Sequence, residues 1–264
     1  MEPQDLSVGE FSIAMATPTH GGSFCIGYVI SALDLQRECN QRSIGFETLF
    51  VAHVSIIEHA RNRLANLFLW TTNATHLLFV DDDMGFGVPE LMKMFEWRRA
   101  DVVAAMCPKK SIDWARIKRA VLTHPNIDPA VLPALAGNYE NMFRPVDDEP
   151  TVVVGPKPSR VSAIGAGIML ISRECLMRLV DTGRAPRIEN ADFPAMAAKD
   201  GRVPYYQFFR TETREGMTIG EDMYFCEQVR ASGGEILGCS WIPITHTGRY
   251  DFRGDLPGIA AYRV

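Results

Sequence analysis

Short apolar runs alternate with longer amphipathic ones through the first part of the chain. From Phe11 the run FSIAMATPT, closed by a Thr-Pro turn, predicts a buried strand. From about Ser23 to Asn40 apolar residues recur at helical spacing, and Ile26, Val29, Ile30 and Leu33 are the expected inner stripe. IGFETLFVAH predicts a second strand, and IIEHARNRLANLFLWTT a long amphipathic helix facing inward through Ala60, Leu64, Leu67 and Phe68. HLLFVDDDM is a buried strand that runs straight into three carboxylates. VPELMKMFEWRR opens a helix with proline near its start, and ADVVAAMC is the next strand. This alternation predicts an α/β fold with a mainly parallel central sheet flanked by helices.

After Cys107 the pattern weakens. Residues from Pro108 to about Arg160 are rich in proline, asparagine and aspartate, which predicts loops, a short helix around Asp128 to Leu135, or a lid. VSAIGAGIMLISRECLMRLVDTG predicts a glycine-containing strand and a helix stopped at Gly183. Arg184 to Arg214 is again irregular and contains PYYQFF. GEDMYFCEQVRASGGEILGCSWIPITHTG predicts an acidic turn, a helix ending at Gly233-Gly234 and a strand leading to His246. Without a repeat or an evident linker, residues 1–264 are expected to form a single domain.

Composition narrows the function classes. With 264 residues, 47% of them hydrophobic and 22% charged, the chain can bury a full core. A formal net charge of −5 argues against general binding of a nucleic-acid backbone. Cysteines 25, 39, 107, 175, 226 and 239 show no paired metal spacing and are expected to be reduced thiols. The N-terminal MEPQDLSVGE has no signal-peptide character, and no apolar run is long enough for a transmembrane segment, so a cytoplasmic location is expected.

The candidate chemistry sits where strands end. Asp81-Asp82-Asp83 follows an apolar strand directly, and open α/β sheets bind ligands at the carboxyl ends of their strands. Two carboxylates one residue apart can share a hard cation, Mn2+ or Mg2+; the plainer alternative is a solvated acidic turn. Gly220-Glu221-Asp222 opens a helix, where acids are favoured by the helix dipole, and Asp222 is also a candidate general base. His246, in THTG after a strand, is either structural or part of a metal or diphosphate site. Arg61 is either solvated or grips a phosphate or base. Thr17-Pro18-Thr19 with the following glycines offers close backbone approach to a ligand, or an ordinary turn. Gly165-Ala166-Gly167 either admits an acceptor or relieves crowding within the sheet. The aromatics Trp114, Tyr205, Tyr206, Phe208, Phe209 and Trp241 are read mainly as core or lid packing, with sugar stacking as the alternative.

Taken in order, MATPTHGG, ARNRLANLFL, HLLFVDDDMGF, SAIGAGIMLISRECL, GEDMYFCEQVRASGG and ITHTG resemble the GT-A glycosyltransferases, in particular small family-2-like enzymes of bacterial, phage and viral type. The resemblance covers residues 11–250 and implies a GT-A fold, with a nucleotide-binding half at about 11–107 and an acceptor half at about 108–264. It implies transfer of a single sugar from a UDP- or GDP-linked donor to a glycan or other hydroxyl acceptor. Thr17, Pro18 and Thr19 would face base and ribose, and Arg61 and Asp82 would lie near the nucleotide. Asp81 and Asp83 match the outer positions of the family's Asp-x-Asp motif, which bridges ribose and metal. Asp222 matches the base of inverting members. His246 matches a histidine on the metal or diphosphate, while Gly165, Ala166, Gly167 and Glu221 fall in the sugar and acceptor pocket. Two features depart from the pattern: the motif is a run of three aspartates, and the arginine-tryptophan pair of processive synthases is missing. A magnesium-dependent nucleotidyltransferase or phosphotransferase also clusters aspartates after a strand, but MATPTHGGSF lacks the lysine of a phosphate loop. A non-catalytic nucleotide-sugar-binding module is the third reading.

Overall fold

A computed structural model describes residues 1–6, 10–139, 142–146, 151–189, 197–198 and 201–250. Its first half follows the expected alternation: β1 (Ser12–Thr19), α1 (Ile26–Gln41), β2 (Gly45–Ala52), α2 (Ile57–Thr71), β3 (His76–Val80), β4 (Met84–Phe86), α3 (Val88–Phe95) and β5 (Val102–Ala105). Then come β6 (Lys109–Ile112), α4 (Trp114–Thr123), a 3-10 turn at Pro129–Val131, α5 (Leu132–Leu135), β7 (Gly137–Asn138), β8 (Phe143–Pro145), β9 (Ser159–Ile164), β10 (Ile168–Ser172) and α6 (Arg173–Asp181). Short antiparallel arms follow, β11 (Arg187–Ile188) with β14 (Tyr205–Tyr206), β12 (Ala197–Ala198) with β13 (Gly201–Arg202), and β15 (Glu212–Arg214) with β16 (Met217–Ile219). The described chain closes with α7 (Glu221–Ala231), β17 (Ile236–Cys239) and β18 (Ile244–His246).

The central sheet has eight strands in the order β2-β1-β3-β10-β5-β17-β9-β8. β2, β1 and β3 are parallel to one another, as are β5 and β17. β10 runs antiparallel between β3 and β5, and β9 runs antiparallel to β17. Side chains alternate between the two faces, as pleating requires. Ile13, Met15, Leu78 and Val80 pack with α1 and α3 on one face, while Ala14, Ala16, Leu77 and Phe79 pack with α2, α6 and α7 on the other. The result is the expected α/β architecture, a sheet between two helical layers.

Three local expectations are corrected. Ile26, Ile30 and Leu33 do not form the inner stripe of α1; they are exposed, and the helix buries Tyr28, Ser31, Leu35 and Cys39 instead. The reason is steric: Gly27 lies against the Gly85 backbone, and Ser31 Oγ both accepts from Phe86 N and donates to Phe86 O at 2.9 Å. Small residues therefore face the sheet and turn the branched ones outward. VSAIGAGIMLIS is two strands rather than one, broken at Gly165-Ala166-Gly167. The middle stretch holds the helix α4, capped by Asp113 through Arg116 N at 2.8 Å, in addition to the short helix expected near Asp128 to Leu135.

In PYYQFF the core reading holds for the two phenylalanines. Phe208 and Phe209 are core residues, with Phe209 stacked on Phe225 at 4.6 Å and edge-on to Phe79. Two buried asparagines one turn apart on α2 hold this segment. Asn62 donates to Phe209 O and accepts from Phe208 N and Phe209 N, and Asn66 donates to and accepts from the Tyr206 backbone. This stretch is consequently packing rather than lid. Residues 140–141, 147–150, 190–196 and 199–200 of the two regions expected to supply a lid lie outside the described residues.

Candidate functional site

The carboxyl ends of β1 and β3 open beside each other, since the two strands are parallel neighbours. A cavity of about 170 Å³ there is lined by Pro18, Thr19, His20, Asp81, Asp82 and Asp83, with Ser55, Ile57 and Ala60 from the start of α2. Thr17 does not reach it: the residue is fully buried and its hydroxyl bonds Tyr28 Oη at 2.7 Å, leaving no surface for a ligand. Thr19 Oγ1 bonds Ser23 O, and Cys25 N bonds Asp82 O at 2.9 Å, which ties the start of α1 to the acid loop.

His246 arrives at this loop through β18, which pairs antiparallel with β4 and puts His246 opposite Met84. Its Nε2 lies 3.3 Å from Asp83 Oδ1, and Thr247 N bonds Asp83 O. The other ring nitrogen, Nδ1, donates to Pro108 O at 2.6 Å. That bond leaves Nε2 as the free nitrogen of the neutral ring, the usual support for a metal-binding imidazole, and when the ring is protonated Nε2 donates to Asp83. Burial opposes charge on His246, but the bonds to Asp83 and Pro108 outweigh it and raise the pKa. Burial likewise opposes ionisation of Asp83, and the bonds from His246 and Lys110 more than reverse it, so its pKa is lowered. Lys110, ion-paired with Asp83 from β6, went unread in the sequence. Its signal was position: CPKK follows β5 at the carboxyl end of a sheet strand, where ligands collect.

Arg61 occupies a different place from a solvent-facing nucleotide clamp. It is 4% exposed, and its guanidinium bridges Asp81 at 3.1 Å and Glu221 at 3.3 Å while lying over the Phe79 ring. Burial disfavours its charge, yet Asp81 and Glu221 outweigh that and raise its pKa. Asp81 is shifted upward by burial, with Arg61 opposing. Asp222, beside Glu221 at the head of α7, is raised first by burial and then by the Glu221 charge. Its Oδ2 lies 3.6 Å from where a Cβ on Gly165 would stand. A Cβ on Gly167 would meet Met84 Cε at 2.7 Å and Asp81 Oδ2 at 3.8 Å, and Asp81 N bonds Gly167 O. The Gly-Ala-Gly break therefore threads between Asp81 and Asp222, with Ala166 itself buried.

Arg61 thus joins Asp81 to Glu221, which precedes Asp222 in the chain, and His246 contacts Asp83, but the six are not gathered around a single cavity. Asp81 and Asp83 line the first cavity, His246 lines a second beyond Pro108, and Glu221 and Asp222 line neither. No group of three or more His, Cys, Asp or Glu side chains stands at metal-binding spacing among the described residues. Asp83 and His246 are in contact, however, and Oδ1 of both Asp81 and Asp83 is buried without a hydrogen bond. Buried carboxylate oxygens held by ion pairs but by no hydrogen bond, beside an oriented imidazole, fit a hard cation that takes its remaining ligands from substrate phosphates.

No family model matches the sequence, and no curated protein matches it. Among solved structures, A197 from STIV has 16% identity over 90% of this chain and 87% of its own, with a TM-score of 0.48. The inositol-1-phosphate CTP transferase from T. maritima has 8% identity over 90% and 91%, with a TM-score of 0.40. A glycosyltransferase involved in glycosylation of the major capsid of PBCV-1 has 9% identity over 70% of each chain, with a TM-score of 0.31. At TM-scores below 0.5 these likenesses assign no activity to this chain, whose chemistry has to be read from its own side chains.

Proposed function

We propose that this protein is a GT-A glycosyltransferase, moving a single sugar from a nucleotide-sugar donor to a hydroxyl acceptor with inversion. The observation that carries the reading is the linkage of Asp81, Asp83, Asp222 and His246, distant in sequence, across the carboxyl ends of β1 and β3. The nucleoside would lie on Pro18, Thr19, Asp81 and Asp82, and Asp83 with His246 would hold Mn2+ or Mg2+. Such a cation, when bound, offsets charge developing on the leaving diphosphate. Lys110 adds a second positive charge at Asp83. Asp222 takes the proton of the attacking hydroxyl, and a carboxylate of raised proton affinity suits that task. Arg61 holds Asp81 and Glu221 in register, which makes it a positioning residue.

The test is release of nucleoside diphosphate from a panel of UDP- and GDP-sugars, with Mn2+ and after chelation, alone and with glycan acceptors. The wild-type protein is expected to need the cation, and Asp83→Ala to lose both turnover and cation-dependent donor binding. Asp222→Asn is expected to lower transfer by on the order of 10²–10⁴ with donor affinity little changed. Undiminished transfer by Asp222→Asn would place the base elsewhere. Pyrophosphate release from a nucleoside triphosphate, without reaction of nucleotide-sugars, would make the protein a nucleotidyltransferase.

A further inference from the structure

Beyond Asp83 and His246 lies a second, larger cavity of about 580 Å³, walled by β6, α4, α5 and the segment that follows β18. Its volume falls within the range of about 300–1,000 Å³ usual for small-molecule sites. Three aromatic rings line it, Trp114, Tyr139 and Tyr250, and so do three cations, Lys109, Lys110 and Arg249. None of its described lining residues is an acid. Asp113, next in sequence to Trp114, turns away to cap α4 and pair with Arg116. Lys109 and Arg249 form no ion pair among the described residues. Lys110 is matched by Asp83, but in a protein of net charge −5 the remaining cations, Lys109 and Arg249, stand in a pocket with no acid among its described lining residues, a local reversal of sign. Trp114 stands at the wall with 60% exposure, an apolar ring face with no partner of its own in the core.

We infer that this cavity is the acceptor site and that its ligand is an anionic glycan, a sugar ring stacked on Trp114 with its carboxylate or phosphate held by Lys109 and Arg249. The inference rests on the transferase reading and adds a substrate class to it. The cavity meets the reaction centre at His246, and its wall is tied by backbone to the glycine beside Asp222. His246 is part of its wall, and Tyr139 leads by backbone bonds to Met142 and on to Gly165, whose Cβ position is 3.6 Å from Asp222 Oδ2. Aromatic rings accept the apolar face of a sugar, and paired cations select charged rings over neutral ones.

Three probes of one size separate the terms: cellobiose, its uronic acid and its 6′-phosphate. Each is titrated into the full chain by calorimetry and tryptophan fluorescence, with and without saturating UDP and Mn2+. Both anionic disaccharides are expected to bind at least about tenfold tighter than cellobiose, the scale of one charge-assisted contact. The preference should shrink at high salt, and binding should persist with UDP present. Lys109→Ala should remove most of the charge preference, and Trp114→Ala should weaken all binding by about tenfold. Trp114 and Lys109 belong to no hydrophobic cluster, so unchanged circular dichroism and melting are expected of both variants. Equal binding of cellobiose, no saturable binding of any probe, or full affinity in Trp114→Ala would overturn the inference. Displacement of the anionic probes by UDP would also overturn it, by assigning the cations to the donor diphosphate. Donor hydrolysis is measured on the same samples. Its absence alongside charge-selective binding would sink the transferase reading and leave the pocket as a glycan site.

Discussion

Arg61 is a guanidinium with almost no access to water, held between two acids that come from opposite ends of the chain. Its removal would leave Asp81, Glu221 and Asp222 crowded without a countercharge. Breaking a buried pair from one side costs about 3–5 kcal/mol. Arg61→Met is therefore expected to lower unfolding stability by that amount in urea titrations and to abolish transfer. Arg61→Lys, which keeps the charge but not the fork, should recover part of the stability and little of the activity. Equal stability of Arg61→Met and wild type would show that the bridge is not formed. The acids themselves were legible in the sequence because each marks the end of an apolar run or the start of a helix. The role of Arg61 was not, since its partner Glu221 lies 160 residues away. The burial of Thr17 against Tyr28 was hidden for a similar reason, as a hydroxyl next to a turn gives no sign of which way it faces.

α2 joins layers that the sequence pattern treats as separate. One face carries Ala60, Leu64 and Phe68 into the core, while Asn62 and Asn66 secure the backbone from Tyr206 to Phe209. Asn62→Ala strips Phe208 N, Phe209 N and Phe209 O of their partners in a site closed to water. Each buried group left unpaired costs about 1–3 kcal/mol. A loss of roughly 3 kcal/mol or more is expected from urea midpoints for this exchange, and a loss below about 1 kcal/mol would contradict the clamp. Two asparagines one turn apart, in line with the apolar positions of an amphipathic helix, were the available signal for it. Regular elements of the first half could be read because alternation and helical periodicity dominate there. α4 was hidden by having no fully buried residue, although Asp113 followed by Trp114, Ile117 and Val121 marks a cap and a stripe. The face of α1 was misread because Gly27 and Ser31 fit the sheet by size, a property that hydropathy does not encode.

At the scale of the molecule, stability should respond to pH through His76 at the head of β3. Burial lowers its pKa from 6.5 to about 4, against the bond between Nε2 and Arg98 O. In the neutral ring Nε2 donates to that carbonyl, while Nδ1 lies 2.9 Å from Thr75 Oγ1. The unfolded chain takes up this proton first as pH falls. The contribution is therefore fully present above about pH 6.5 and is lost progressively toward pH 4, up to roughly 3 kcal/mol. Melting measured between pH 7 and pH 4.5 should fall more steeply for wild type than for His76→Gln, and parallel curves would contradict the assignment. The reversed strand β10 carries a different consequence. β3 and β5 never pair with each other, because residues 168–172 fill the space between them. During synthesis the ribosome delivers β1, α1, β2, α2, β3, α3 and β5 well before the strand that joins them. An emerging chain therefore leaves one edge of β3 and both edges of β5 without their partners until β10, and later β17, have left the exit tunnel. Contacts this remote in sequence slow folding and prolong the exposure of such edges to aggregation.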